Sequence, residues 1–357
     1  MKYRTFFATL QQNVLYFCIM KRINQFIVFV CLVMAIFSCK QNNENSNATI
    51  STGNKDIDAI SSKIKENPKD ASLYAKRAEL YFGADAYELA VADMASAMKI
   101  DSNNIDYHIL LSDIYMESLQ SRLALQTMER AVSLNPDKIS SLLKLSELQL
   151  ILQFHNESME TVNKILYRDH MNAEAFMLMG MNFKETGDTT KAIVAFKKAA
   201  NLKSELTDAW LNVAMLKGAK NEKDAIDYFN TAIRLDSTNA AILHAKAHYL
   251  QTKGQADEAL TIYRQIGILD PRYKDAFFNS ALIYLDKDSL DKALELLNIT
   301  TEISAIFPKA YFYRGYIFER KKDLESARKN YQQAASMSPT YKEAREAADR
   351  LAKILKK

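Results

Sequence analysis

The sequence predicts an all-α fold, a solenoid of stacked helix pairs, on three observations. Small residues recur about every 34 positions, apolar residues around them repeat at helical spacing, and turn-forming residues are scarce, with 8 Gly and 5 Pro in 357 residues. So few Gly and Pro argue against a β-rich fold full of tight turns. The composition, 48% hydrophobic and 25% charged, is that of a folded chain with a substantial core.

The alanines Ala90, Ala124, Ala192, Ala259, Ala293 and Ala327 are separated by 34, 68, 67, 34 and 34 residues, and Ser158 and Ala225 fill the double steps. Twelve positions earlier stand Ala78, Ser112, Ser146, Gly180, Ala214, Ala247, Ala281 and Gly315, with a slip of one in the fifth unit. A small residue where two antiparallel helices cross lets their axes approach, and larger neighbours fill the space beside the crossing. Each unit therefore reads as a helix pair. Thr186-Gly187-Asp188 interrupts one apolar run and suits the end of a first helix and the cap of a second. Pro136, Pro271 and Pro339 share one position near unit ends, where a second helix must stop.

The large residue four positions before each early small one is Tyr74, His108, Leu142, Phe176, Trp210, Leu243, Phe277 and Tyr311. With these residues in place the pattern resembles the tetratricopeptide repeat, in eight units over 71–341. The resemblance implies a right-handed superhelical solenoid whose first helices line a concave surface. Unit three, with Gln149 for the usual Tyr and Ile165 for a small residue, and unit five, one residue short, should be locally irregular. Residues 55–70 read as an N-terminal capping helix, and 342–357 as a C-terminal one with Ala344, Ala348, Leu351 and Leu355 on a single face.

The N-terminus carries a different signal. Lys21 and Arg22 precede twelve uncharged, mostly apolar residues from Phe26 to Phe37, and small Ser38 leads into Cys39. About 20 apolar residues are needed to cross a bilayer core, so 1–38 reads as a cleavable secretory signal, with Met20 as an alternative start. Ile36-Phe37-Ser38-Cys39 resembles the lipobox of bacterial lipoproteins, although Phe37 stands where a small residue is usual. That resemblance implies lipid attachment at Cys39, and Lys40 after it points to the outer membrane, on its periplasmic face or at the cell surface. The Asn- and Ser-rich stretch 39–54 reads as a flexible tether.

Charge and cysteine usage exclude several functions. Four of the 47 basic residues precede Cys39 and no acid does, leaving 43 bases against 43 acids beyond it. Without a basic surplus, a nucleic-acid partner is not expected. All three cysteines, Cys18, Cys31 and Cys39, lie in the first 39 residues, so the folded body holds no thiol chemistry. Phosphate-loop, GxSxG, HExxH and EF-hand patterns are absent, and neither an enzyme activity nor a cofactor is expected. His244 and His248, one helical turn apart, offer two candidate metal ligands without an identifiable third. Trp210 shares the packing position of Phe176 and Phe277 and reads as core.

The expected partner site is the second stripe on the first helices, which the family resemblance places on the concave wall. Its residues are acidic only in the first three units (Glu79, Asp113, Glu147). From the fourth unit on they include Met177, Met181, Leu211, Met215, Phe278, Leu282, Phe312 and Tyr316. An exposed apolar stripe marks a binding surface, whereas the same spacing also suits packing against a neighbouring helix, and sequence alone leaves both readings open. The expected function is a membrane-anchored scaffold gathering a protein or peptide segment in envelope assembly, secretion or appendage biogenesis. The alternatives are a sugar-binding lipoprotein of a nutrient-uptake system, which would show aromatic platforms on long insertions, and a metalloprotein using His244 and His248.

Overall fold

A computed structural model of the chain describes residues 53–356; the signal-like segment 1–38, Cys39 and nearly all of the tether lie outside the described residues. The chain divides into two compact units, 1–58 and 59–357, and the fold described below is the second. Among the described residues there are eighteen helices and no strand. Helix α1 (Lys55–Glu66) runs from one unit into the other.

Eight helix pairs follow. They are α2 (Ala71–Gly83) with α3 (Tyr87–Ile100), α4 (Ile105–Glu117) with α5 (Ser121–Leu134), α6 (Ile139–Ile151) with α7 (His155–Arg168), and α8 (Ala173–Glu185) with α9 (Thr189–Leu202). Then come α10 (Thr207–Ala219) with α11 (Ala225–Leu235), α12 (Ala240–Thr252) with α13 (Ala256–Leu269), α14 (Lys274–Asp286) with α15 (Leu290–Ile303), and α16 (Pro308–Arg320) with α17 (Leu324–Met337). Helix α18 (Lys342–Ile354) closes the series. Each first helix packs on its own second helix, and each second helix on the next pair, so the core is a chain of small clusters.

The turns inside the pairs share one geometry. Asp85, Leu119, Gln153, Gly187, Asn221, Gly254, Asp288 and Lys322 all adopt positive φ, between 56° and 86°. The N–H of the next residue reaches back to the carbonyl five positions earlier, as in Ala86 to Tyr81 at 2.8 Å and Asp188 to Phe183 at 2.8 Å. This left-handed stop satisfies the orphan carbonyls at a helix end and reverses the chain into the next helix.

The small residues sit where the sequence spacing expects them, at crossings inside each pair. A Cβ on Gly180 would lie 2.6 Å from the Phe196 ring and one on Gly315 2.8 Å from the Tyr331 ring, so glycine is required for that approach. At the large position, polar tips turn back to the preceding loop. Trp210 Nε1 donates to the Ser204 carbonyl at 2.9 Å, Tyr74 Oη to that of Pro68 at 3.2 Å, and His108 Nε2 lies 2.9 Å from that of Ser102. Trp210 stacks on Tyr228, with ring centroids 6.1 Å apart, and is a packing residue.

The third pair has helices of the usual length and differs in its side chains, whereas the fifth is shorter. In the third pair the crossing is polar. Ser146 and Ser158 hydroxyls lie 2.9 Å apart, Asn182 donates to Ser158 at 2.8 Å, and Thr161 donates to Gln149 at 2.9 Å. In the fifth pair the second helix has 11 residues where the other second helices have 14. Buried Lys217 stands there, its ammonium paired with Glu222 and, at 2.9 Å, with Asp224 in the turn. These hydrogen bonds, that to Asp224 first, hold Lys217 above its ordinary range.

At the C-terminal end Ala344, Ala348 and Leu351 of α18 are buried against the last pair. Leu355, expected on the same face, is exposed just past the end of the helix.

Candidate functional site: the first-helix face

Successive first helices lie side by side, and polar bridges cross between them. Lys144 on α6 pairs with Asp113 on α4 at 2.9 Å, Lys184 on α8 donates to Asn212 on α10 at 2.9 Å, and Asn279 on α14 donates to His244 Nε2 on α12 at 2.9 Å. These contacts hold one repeat in register with the next along the face on which the sequence places the candidate residues.

The apolar stripe divides on this face. Met215 is 46% exposed and Tyr316 40% exposed, two open apolar positions in the fifth and eighth pairs. Met177 and Met181 are half-buried against the Phe196 and Val213 cluster, Leu282 against that of Phe278 and Ala281, and Leu211 is half-buried as well. Phe312 packs on Tyr331 and Tyr341, with centroids 5.4 and 5.1 Å away. Phe278 does not belong to the surface. It is 7% exposed and meets Phe307 edge-on at 5.0 Å, so the structure corrects its assignment from groove wall to core. The cause is Phe307, which leads into α16 and covers the Phe278 ring, a contact across repeats that helical spacing within one repeat cannot reveal.

His244 and His248 stack with centroids 6.5 Å apart, and the His244 ring also meets Tyr263 at 5.7 Å and Tyr273 at 5.4 Å. The Asn279 amide nitrogen faces Nε2, an arrangement that suits a neutral imidazole with its proton on Nδ1. Burial holds it below the ordinary imidazole range; Asp275 opposes this and His248 adds to it. Among the described residues no three or more His, Cys, Asp or Glu side chains gather as a metal site, and no helix is long and apolar enough to cross a membrane. Cys39 lies outside the described residues.

The acidic stretch of the face was legible as Glu79, Asp113 and Glu147. What spacing alone missed is that Glu117 and Ile151, at the C-terminal ends of α4 and α6, join Asp113 and Glu147 around one cleft.

The repeat register agrees with comparison to known proteins. The chain matches the tetratricopeptide repeat family over residues 173–206, 244–305 and 308–341. Two of these stretches open on the first residues of α8 and α16. The chain is a tetratricopeptide-repeat protein. Among its relatives, this tetratricopeptide-repeat chain is 26% identical over 238 residues to anaphase-promoting complex subunit 7 of Dictyostelium discoideum, covering 65% of this chain and 40% of that protein. It is 18% identical over 281 residues to the BBSome complex member BBS4 of Bos taurus, covering 79% and 48%. The chain thus spans less than half the length of these curated relatives. Among solved structures, a tetratricopeptide repeat protein from Parabacteroides merdae superposes with a TM-score of 0.52 at 17% identity, over 70% of this chain and 98% of that one. The APC/C hetero-tetramer Cut9-Hcn1 superposes with 0.53 at 19%, over 83% and 58%. These likenesses show the fold. Tetratricopeptide repeats bind protein or peptide partners.

Proposed function

We propose that this protein is a non-enzymatic interaction scaffold that holds a segment of a protein partner on its first-helix face. The observation that carries this reading is the exposure of Met215 and Tyr316, large apolar side chains on a face where most of the candidate stripe is held by packing. Exposed apolar surface is costly in water unless a partner covers it, and Met adapts to varied partners. Two relatives being members of multiprotein complexes supports the same reading. The partner's apolar anchors would rest on Met215 and Tyr316, with Met177, Met181, Leu211, Leu282 and Phe312 shaping the ground around them. Nucleic acid is not its ligand, on the charge balance given above.

The scaffold would be tethered to the cell envelope through lipid on Cys39, most naturally at the outer membrane, and serve envelope assembly, secretion or appendage biogenesis. The lipobox-like Ile36-Phe37-Ser38-Cys39 supports this part. Radiolabelled palmitate should enter the wild-type chain and not Cys39→Ala; equal labelling of both would reject the anchor.

The binding surface is tested by photo-crosslinking in the native cell from positions 215 and 316, followed by mass spectrometry. Met215→Lys with Tyr316→Lys should keep helicity and melting temperature and lose the partner. Retention of every partner by that folded double variant would reject the surface.

A further inference from the structure

The acidic stretch has relief of its own. Between α4 and α6 a cleft of about 320 Å3 opens on the first-helix face, with apolar walls of Phe82, Met116, Leu148 and Ile151 and with Glu117 and Glu147 beside them. Ile151 is 59% exposed. The third carboxylate of the cleft, Asp113, is already neutralised by Lys144 at 2.9 Å. Glu117 and Glu147 are exposed and have no ion-pair partner among the described residues.

The turns that follow these two first helices add exposed apolar side chains. Leu119 and Phe154, two and three residues beyond Glu117 and Ile151, are exposed at the adjoining turns. The equivalent turn positions in later pairs hold glycine or polar residues, such as Gly187 and Asp188 in the fourth or Lys322 and Asp323 in the eighth. Large exposed apolar side chains at these turns are thus confined to the second and third pairs, the two whose first helices flank the cleft.

Apolar walls with two uncompensated carboxylates fit one kind of side chain, a long aliphatic stem with a cationic head. A purely apolar occupant would dehydrate Glu117 and Glu147 without replacing their hydrogen bonds, and an anionic one would be repelled. We infer that this cleft is a second docking point for a polypeptide partner, seating a Lys or Arg whose stem lies along Met116, Leu148 and Ile151 and whose head reaches Glu117 and Glu147. The inference rests on the scaffold reading only in taking the occupant to be a polypeptide; it concerns a surface five repeats away from Tyr316 and two from Met215.

Selection of a random heptapeptide phage library on the full chain tests it. The expected peptides carry Lys or Arg next to an apolar residue, and a synthetic copy of the strongest should bind about tenfold more weakly to E117Q/E147Q. The same peptide should bind Met215→Lys/Tyr316→Lys as it binds wild type. Circular dichroism establishes that each variant is folded. Selected peptides without a cationic residue, or binding that E117Q/E147Q leaves within about twofold, overturn the inference. Peptides lost only with Met215→Lys/Tyr316→Lys overturn it while leaving the proposed function standing; a selection that yields no peptide overturns both.

Discussion

Gly180 sets the distance between α8 and α9 by the absence of one carbon. With its missing Cβ position 2.6 Å from the Phe196 ring, Gly180→Ala should lower stability by roughly 1–3 kcal/mol through overpacking. Gly83→Ala, at a position with open space, should not, and comparing urea midpoints checks both. Phe278→Ala should cost about 3–5 kcal/mol, as for a buried aromatic, and so lower the melting temperature whatever it does to binding. Leu119 makes the opposite case. It holds φ at 61° in a turn where an L side chain is strained, so Leu119→Gly should stabilise the chain by roughly 0.5–1 kcal/mol in the same measurement.

At the scale of elements, the helix pair is specified twice, by the small residue at the crossing and by the left-handed stop between its helices. The stop is backbone chemistry, which is why Asp85, Gln153, Asn221 and Lys322 serve where glycine is usual. Polar bridges then join one first helix to the next, and the His244–Asn279 bond makes one of these joints sensitive to pH. The groups around that imidazole are Asp275, His248, Tyr263, Tyr273 and Asn279. Because burial lowers the His244 pKa in the folded state, the unfolded chain binds its proton first as pH falls. Stability from this site is therefore full above the ordinary imidazole value and is lost as pH drops through it. Melting curves from about pH 7 to about pH 5 should show a steeper fall for wild type than for His244→Gln; parallel slopes would remove the site from the account.

The scale of the whole folded unit is a sum of neighbours. Ion pairs run from one repeat to the next, as in Lys138 to Asp106 at 3.1 Å, Arg320 to Asp288 at 2.9 Å and Arg350 to Glu319 at 2.6 Å. Most are exposed, so they refine register more than they add stability. The core clusters likewise join adjacent pairs, which makes the ends vulnerable. Removing α18 strips the cover from Ala327 and Tyr331. A chain ending at Ser338 should lose hydrogen-exchange protection in α16 and α17 while α2 to α5 keep theirs. Uniform loss along the chain would mean that the repeats unfold as one block.

The sequence by itself determined the all-α class, the 34-residue period and the residues at each crossing, because those depend on local spacing that every repeat restates. The short fifth repeat was visible for the same reason, as a departure from that spacing, while the third keeps regular helices and differs in the polar residues at its crossing. Only the tertiary structure decided which apolar residues on the first helices are surface. Met215 and Phe278 occupy the same stripe, yet one stands in solvent and the other lies under Phe307. It also brought Glu117 and Ile151 together in one cleft from different repeats. The physical reason is common to both: exposure is set by what the neighbouring repeat places against a side chain, and that contact is not written in the periodicity of the helix carrying it.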